Sequence, residues 1–227
     1  MTRKETSAEA LKDPGYKQAV VDVLGVIAYG ELSAFGRMAA DAKLAPHLGD
    51  TAAISRMAVA ELEHFGLLED RLIELGVEPA DAMAPFVAAV DHFHEQTAPA
   101  DWLEGLVKVY VGDGIAADFY GEIAHFLDPE TADLVREAVS GIGTDDYIIE
   151  TVQAAIEADS TVKGRLALWA RRLVGEALTQ AQRVAVDREQ LGRLIGGESD
   201  LTEIAKMFAR ITEAHSARVS ALGLGAN

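Results

Sequence analysis

Apolar residues return every three or four positions along most of this chain. Between Tyr16 and Lys43 the series is Val20, Leu24, Ile27, Ala28, Phe35 and Met38. A second series, Ile54, Met57, Ala58, Phe65, Leu68 and Leu72, stops near Gly76. This spacing lines one face of an α-helix. A third helix is predicted from Trp102 to Leu127, through Leu103, Leu106, Tyr110, Ala117 and Tyr120. A fourth follows the cap-and-proline start Asp128-Pro129-Glu130 and carries Val135, Ala138, Ile142, Ile149, Val152 and Ile156. A linking helix is expected over 80–97, and two more helices at about 160–192 and 200–222. No alternation of strand type is sustained, so the predicted fold is all-α.

Several polar residues interrupt these apolar stripes. Glu31 stands in the first, Glu61 and His64 in the second, Asp113 in the third, and Asp145 with its neighbour Asp146 in the fourth. A buried carboxylate without a partner costs several kcal/mol, so it stays protonated, finds a partner or binds a metal. Depth links the acids to one another. Glu31 and Glu61 lie about four turns either side of the Pro46–Gly49 join, and antiparallel helices place such positions at one height. Asp113 and the 142–146 stretch are related in the same way across the Asp128-Pro129 join. Blander readings compete: Glu31 can reach water at a bundle edge, and Gly141 and Gly143 can end one helix so that Thr144 and Asp145 cap the next. Gly112 and Gly114, beside Asp113, permit close backbone approach.

Other polar groups read as ordinary. Glu63 faces away, beside Arg56 and Asp70, and is expected in solvent. Glu122 and His125 repeat the Glu-x-x-His spacing on a different face from Asp113. His92 and His94 cannot share one helix face, and His215 is expected to pack. The basic side of the fifth helix, with Arg165, Arg171, Arg172 and Arg183, suits solvent or intramolecular acids.

Composition narrows the classes. Of 227 residues, 49% are apolar, enough to bury a sizeable core. The net charge of −17 disfavours broad binding of nucleic-acid backbones. There is no cysteine, which excludes disulfides, iron–sulfur clusters and thiolate zinc sites. Met1 to Pro14 reads as a polar arm without a signal-type apolar run, and no stretch reads as a membrane span. The expectation is a cytoplasmic protein of one domain over 15–227, with its core at about 16–158; a homodimer is one assembly the sequence admits.

The segments Tyr29-Gly-Glu31-Leu, Ala60-Glu61-Leu-Glu-His64-Phe, the Asp113 helix and Phe126-Leu127-Asp128 resemble the ferritin-like di-iron carboxylate proteins. Within them the chain looks most like the bacterial tRNA hydroxylase-like branch, whose members act on methylthio-isopentenyl-adenosine. The resemblance implies a ferritin-like four-helix bundle with a linking helix and two additional C-terminal helices. It implies Glu31 and His64 as terminal ligands, Glu61 as a bridging ligand, and Asp113 in place of the usual third-helix Glu. It further implies iron, with manganese or another divalent metal as the alternative, and a non-haem oxidoreductase of unknown substrate. On the fourth helix the pattern departs: Ile142 or Gly143 stands where Glu is expected, and Asp145 or Asp146 where His is expected. This leaves a second metal position weak or vacant. The competing reading is a non-catalytic helical scaffold with a degraded or empty centre. Charge speaks against nucleic acid, while the resemblance keeps tRNA open.

Overall fold

The structure is a computed structural model, and it describes residues 2–141, 145–196 and 201–225. All regular structure among the described residues is helical. The polar arm contains a helix, α1 (Arg3–Ala10), closed by reciprocal Thr2–Glu5 capping. It is held because Ser7 is buried and its Oγ accepts from the Glu130 N–H at 3.2 Å.

The central helix is α2 (Pro14–Asp41), started by Asp13, whose side chain accepts from the Tyr16 N–H. Every residue from Ala19 to Ala28 is buried, so here the helix is enclosed on all sides. Its mean hydropathy reaches 1.5 over 18 residues, long and apolar enough to cross a membrane by that measure alone. That corrects the expectation that no stretch approaches a span. The physical reason is enclosure: a helix buried all round needs the same composition as one in lipid. Its one buried acid there, Asp22, is gripped by Arg188 through two nitrogens.

A short 3₁₀ turn leads into α3 (Leu48–Glu74), which returns antiparallel to α2. It stops as predicted at Gly76, whose φ of 76° lets the Val77 N–H reach the Leu72 carbonyl at 3.0 Å. The link consists of α4 (Pro79–Met83) and α5 (Val87–Gln96). At Gly25 the backbone of α4 lies so close that a Cβ would fall 2.3 Å from the Ala82 carbonyl oxygen.

Helix α6 (Trp102–Ile123) is the third wall. The expected fourth helix is two helices, α7 (Pro129–Ala138) and α8 (Asp145–Ala158). Glu130 at the start of α7 pairs with Arg71 near the end of α3, at 3.7 Å. Tyr147 at the start of α8 donates to Asp50 near the start of α3. The α7–α8 path therefore runs antiparallel to α3 and is broken midway. Glycine at 141 and 143 explains why one continuous helix is unfavourable there. Positions 142–144, including the Ile142, Gly143 and Thr144 readings, lie outside the described residues.

Three helices follow: α9 (Thr161–Asp187), α10 (Glu189–Gly196) and α11 (Leu201–Ala221). Trp169 Nε1 donates to the Glu104 carbonyl at 2.9 Å, and Arg165 bridges Asp101 and Glu104. These contacts lay the start of α9 beside the start of α6. Arg165 is thus an intramolecular partner of acids, as expected.

The apolar interior divides in two. One cluster joins Val20–Ala28 of α2 to Leu68 and Leu72 of α3, and the other joins Met38 to Ile54, Met57 and Leu106. Glu31, Glu61 and His64 lie between them in sequence on both helices.

Candidate metal centre

Glu31 comes from α2, and Glu61 and His64 from successive turns of α3. Matched distance from the hairpin brings them together as predicted: one donor atom from each lies within 4.8 Å of the other two. His64 Nδ1 is 3.7 Å from Glu31 Oε2. That oxygen is fully enclosed and accepts no hydrogen bond among the described residues. Burial raises both carboxyls, Glu31 to about 7 and Glu61 to about 9, with a hydrogen bond between them favouring ionised Glu31 and protonated Glu61. Two acids and an imidazole packed this closely, with an acceptor left unmet, fit a divalent cation.

Asp113 behaves differently. It lines the same cavity, its charge is felt by Glu31 and it feels that of Glu61, but it stands outside the three-residue cluster. It is exposed by surface area and lines the cavity, yet the surrounding protein desolvates its carboxyl and raises its pKa well above the ordinary aspartate value. Next to it, Gly114 makes room for a side chain rather than a backbone: the Arg218 guanidinium crosses it and pairs with Asp118 at 2.9 Å.

Asp145 and Asp146 stand outside the three-residue cluster. Both are exposed in the first turn of α8, with Asp145 at the edge of the cavity. Despite the break, Asp145 stays near Asp113: both line the cavity, and the charge of Asp145 helps to raise Asp113. The fourth wall also presents Ala138, Val139, Ser140, Gly141 and Ile148 to this cavity. No second Glu-x-x-His faces the centre among the described residues. The Glu122–His125 pair is peripheral, as expected: Glu122 takes both guanidinium nitrogens of Arg210, at 2.7 and 2.6 Å.

The centre opens on a cavity of about 440 Å³ between α2, α5, α6 and α9. Apolar side chains dominate its wall, among them Val26, Ile27, Phe93, Ile115, Phe119 and Ile123. Four polar residues in this wall escaped sequence reasoning. Tyr120 is raised above the ordinary phenol range by burial and by Glu31. Gln180 is buried with Nε2 unpartnered among the described residues. Lys108 is buried, donates to the Thr97 carbonyl at 2.8 Å, and is lowered by desolvation to about 8. His94, read as an ordinary surface or boundary histidine, is buried against Ser33 Oγ at 3.0 Å, and burial lowers it to about 3. Tyr120 and Gln180 lay within predicted helical stripes without a role; Lys108 and His94 required the placement of α5 against α2 and α6.

The model of one protein family, described as a ferritin-like domain of actinomycetes, matches residues 14–198. No curated protein matches the chain.

Proposed function

Because the chain belongs to this actinomycete ferritin-like domain family, we propose that it is a metal-dependent oxidoreductase acting on a small, largely apolar organic molecule. The observation that carries this reading is the unmet Oε2 of Glu31, set among three converging donors on the wall of an organic-sized cavity. Glu31, Glu61 and His64 would hold the ion. Iron(II) suits this mixed carboxylate and imidazole set, and manganese(II) is the alternative. A redox-active ion supplies electron transfer and dioxygen chemistry when bound.

The remaining tasks belong to the chain itself. The carboxyl proton held between Glu31 and Glu61 must leave as a cation binds, so loading releases a proton. Phe93, Ile115 and Phe119 exclude water and favour an apolar substrate body. Gln180 Nε2 offers a donor for one polar group on that substrate, and Asp113 a carboxyl beside the centre.

Anaerobic iron(II) titration followed by oxygen exposure tests the proposal. One ion per chain, bound at micromolar metal, and oxygen uptake abolished by His64→Ala would support it. Absence of binding would favour the second reading, a ferritin-like scaffold without metal chemistry. The specific support for that reading is the break in the fourth wall, which removes the expected second ligand pair. The finer tRNA-hydroxylase reading is weaker, since the chain carries a net charge of −17.

A further inference from the structure

Helix α3 turns its metal-binding face inward, yet its outer face is not ordinary solvent-exposed surface. Leu48, Val59, Leu62 and Ile73 are 85%, 52%, 40% and 58% exposed. Residues on this face follow alternating steps of four and three, the seam spacing of a two-helix coiled coil. The seam is also a palindrome. Val59 mirrors Leu62, Ser55 mirrors Gly66, and Leu48 mirrors Ile73, all about the midpoint between Ala60 and Glu61. A fourth mirrored pair, Ala52 and Glu69, sets a small side chain opposite a long one. The spacing alone makes the positions symmetric; the residues add that large apolar side chains occupy both members of the Val59–Leu62 and Leu48–Ile73 pairs.

We propose that two copies of this chain dimerise through α3, antiparallel, about a two-fold axis passing beside Ala60 and Glu61. An isologous interface requires a self-complementary patch, and a palindromic seam on one helix is such a patch. Antiparallel docking places Val59 against Leu62 of the second copy at the axis, and Leu48 against its Ile73 at each end. The seam spans about 38 Å at 1.5 Å per residue. Charge agrees with this geometry. Arg56 and Glu63 are exposed, seven residues apart on the same flank, and neither has an ion-pair partner among the described residues. The same two-fold brings Arg56 of each copy beside Glu63 of the other, giving two symmetric pairs. A parallel arrangement would put these flanks on opposite sides of the interface, so that Arg56 and Glu63 could not meet across it. The inference is independent of metal binding, because Glu61 and His64 point to the opposite side of the helix.

Analytical ultracentrifugation of the full chain at 1–100 µM reads the assembly directly, with those concentrations chosen to span about micromolar affinity. Twice the chain mass is expected, falling to a monomer in Leu62→Glu with an unchanged helical signal. Arg56→Glu alone should weaken the dimer at least tenfold, and Arg56→Glu combined with Glu63→Arg should restore it. The absence of cysteine allows a clean orientation test. Ser55→Cys mixed with Gly66→Cys should oxidise to a mixed cross-linked dimer, while Ser55→Cys alone should not. A monomer at every concentration, a higher-order cage, a dimer insensitive to Leu62→Glu, or no rescue by the charge swap would overturn the proposal.

Discussion

Glu31 Oε2 and His64 Nδ1 stand 3.7 Å apart, near enough to attract and too far to hydrogen-bond. The gap has the dimensions of two ligands flanking a common ion. One tight site per chain is therefore expected in calorimetric titration with iron(II) or manganese(II). His64→Ala should remove that binding event, while Asp145→Ala, altered only at the cavity edge, should leave it within twofold. Loss of the first event on changing Asp145 would show that α8 supplies a ligand.

Metal-free protein should lose stability as pH rises. Glu31 and Glu61 have pKa values raised to about 7 and about 9, above those of exposed carboxyls. Their contribution is fully present below the unfolded value, near pH 4.5, and is lost as pH climbs through the folded values. Thermal melts in chelator should show Tm falling by ~5 °C or more between pH 6 and pH 9. Glu61→Gln should flatten that slope. Saturating metal should reverse it, because cation binding favours the deprotonated pair. A chelated protein with constant Tm across this range would show that the carboxyls are not buried together.

Two glycines should respond unequally to alanine. At Gly25 the added methyl meets the rigid backbone of α4, only 2.3 Å from the Ala82 oxygen. A loss of roughly 1–3 kcal/mol is expected in urea denaturation, the usual range for overpacking. At Gly114 the obstruction is the far end of the Arg218 side chain, which can swing aside. Gly114→Ala should cost less than Gly25→Ala, and equal losses would mean that Arg218 is fixed as firmly as backbone.

Affinity for tRNA should be weak at physiological salt. The exposed Arg171 and Arg172 give a small basic surface on a chain of net charge −17. Filter binding or anisotropy should place Kd above 10 µM, on the order of nonspecific binding or weaker. Sub-micromolar affinity with a steep salt dependence would favour the tRNA-modifying reading.

The first half of the centre was legible because it rests on one hairpin. Glu31 and Glu61 needed only helical periodicity and an equal distance from Pro46–Gly49. The same rule put Asp145 near Asp113, whose carboxyl it helps to raise, but α7 ends at Ala138 and both acids are exposed in the first turn of α8, outside the cluster. Gly141 and Gly143 signalled the break; its position relative to the acids depended on tertiary contacts such as Tyr147 with Asp50. Lys108, His94 and the role of Gln180, which lay in a predicted stripe, were hidden for a related reason. Their significance comes from α5 and α9 meeting α2 and α6, and no local spacing encodes that meeting. The enclosure of α2 was likewise visible as hydropathy, but hydropathy alone does not distinguish protein from lipid as the surrounding medium.

The division of the interior into two apolar clusters also bears on how an ion could come and go. Each cluster holds α2 to α3 at one end, through Leu24 and Leu72 in one and Met38 and Ile54 in the other. The polar waist between them, with the α7–α8 interruption alongside, carries less of the cohesive energy. Fluctuations that part the waist need not melt either end, so ion exchange can be a local breathing motion rather than an unfolding event. Amide protons around Glu31 and Glu61 should then trade with solvent faster in chelator than those of Leu24 or Ile54, with the hairpin still closed at both ends.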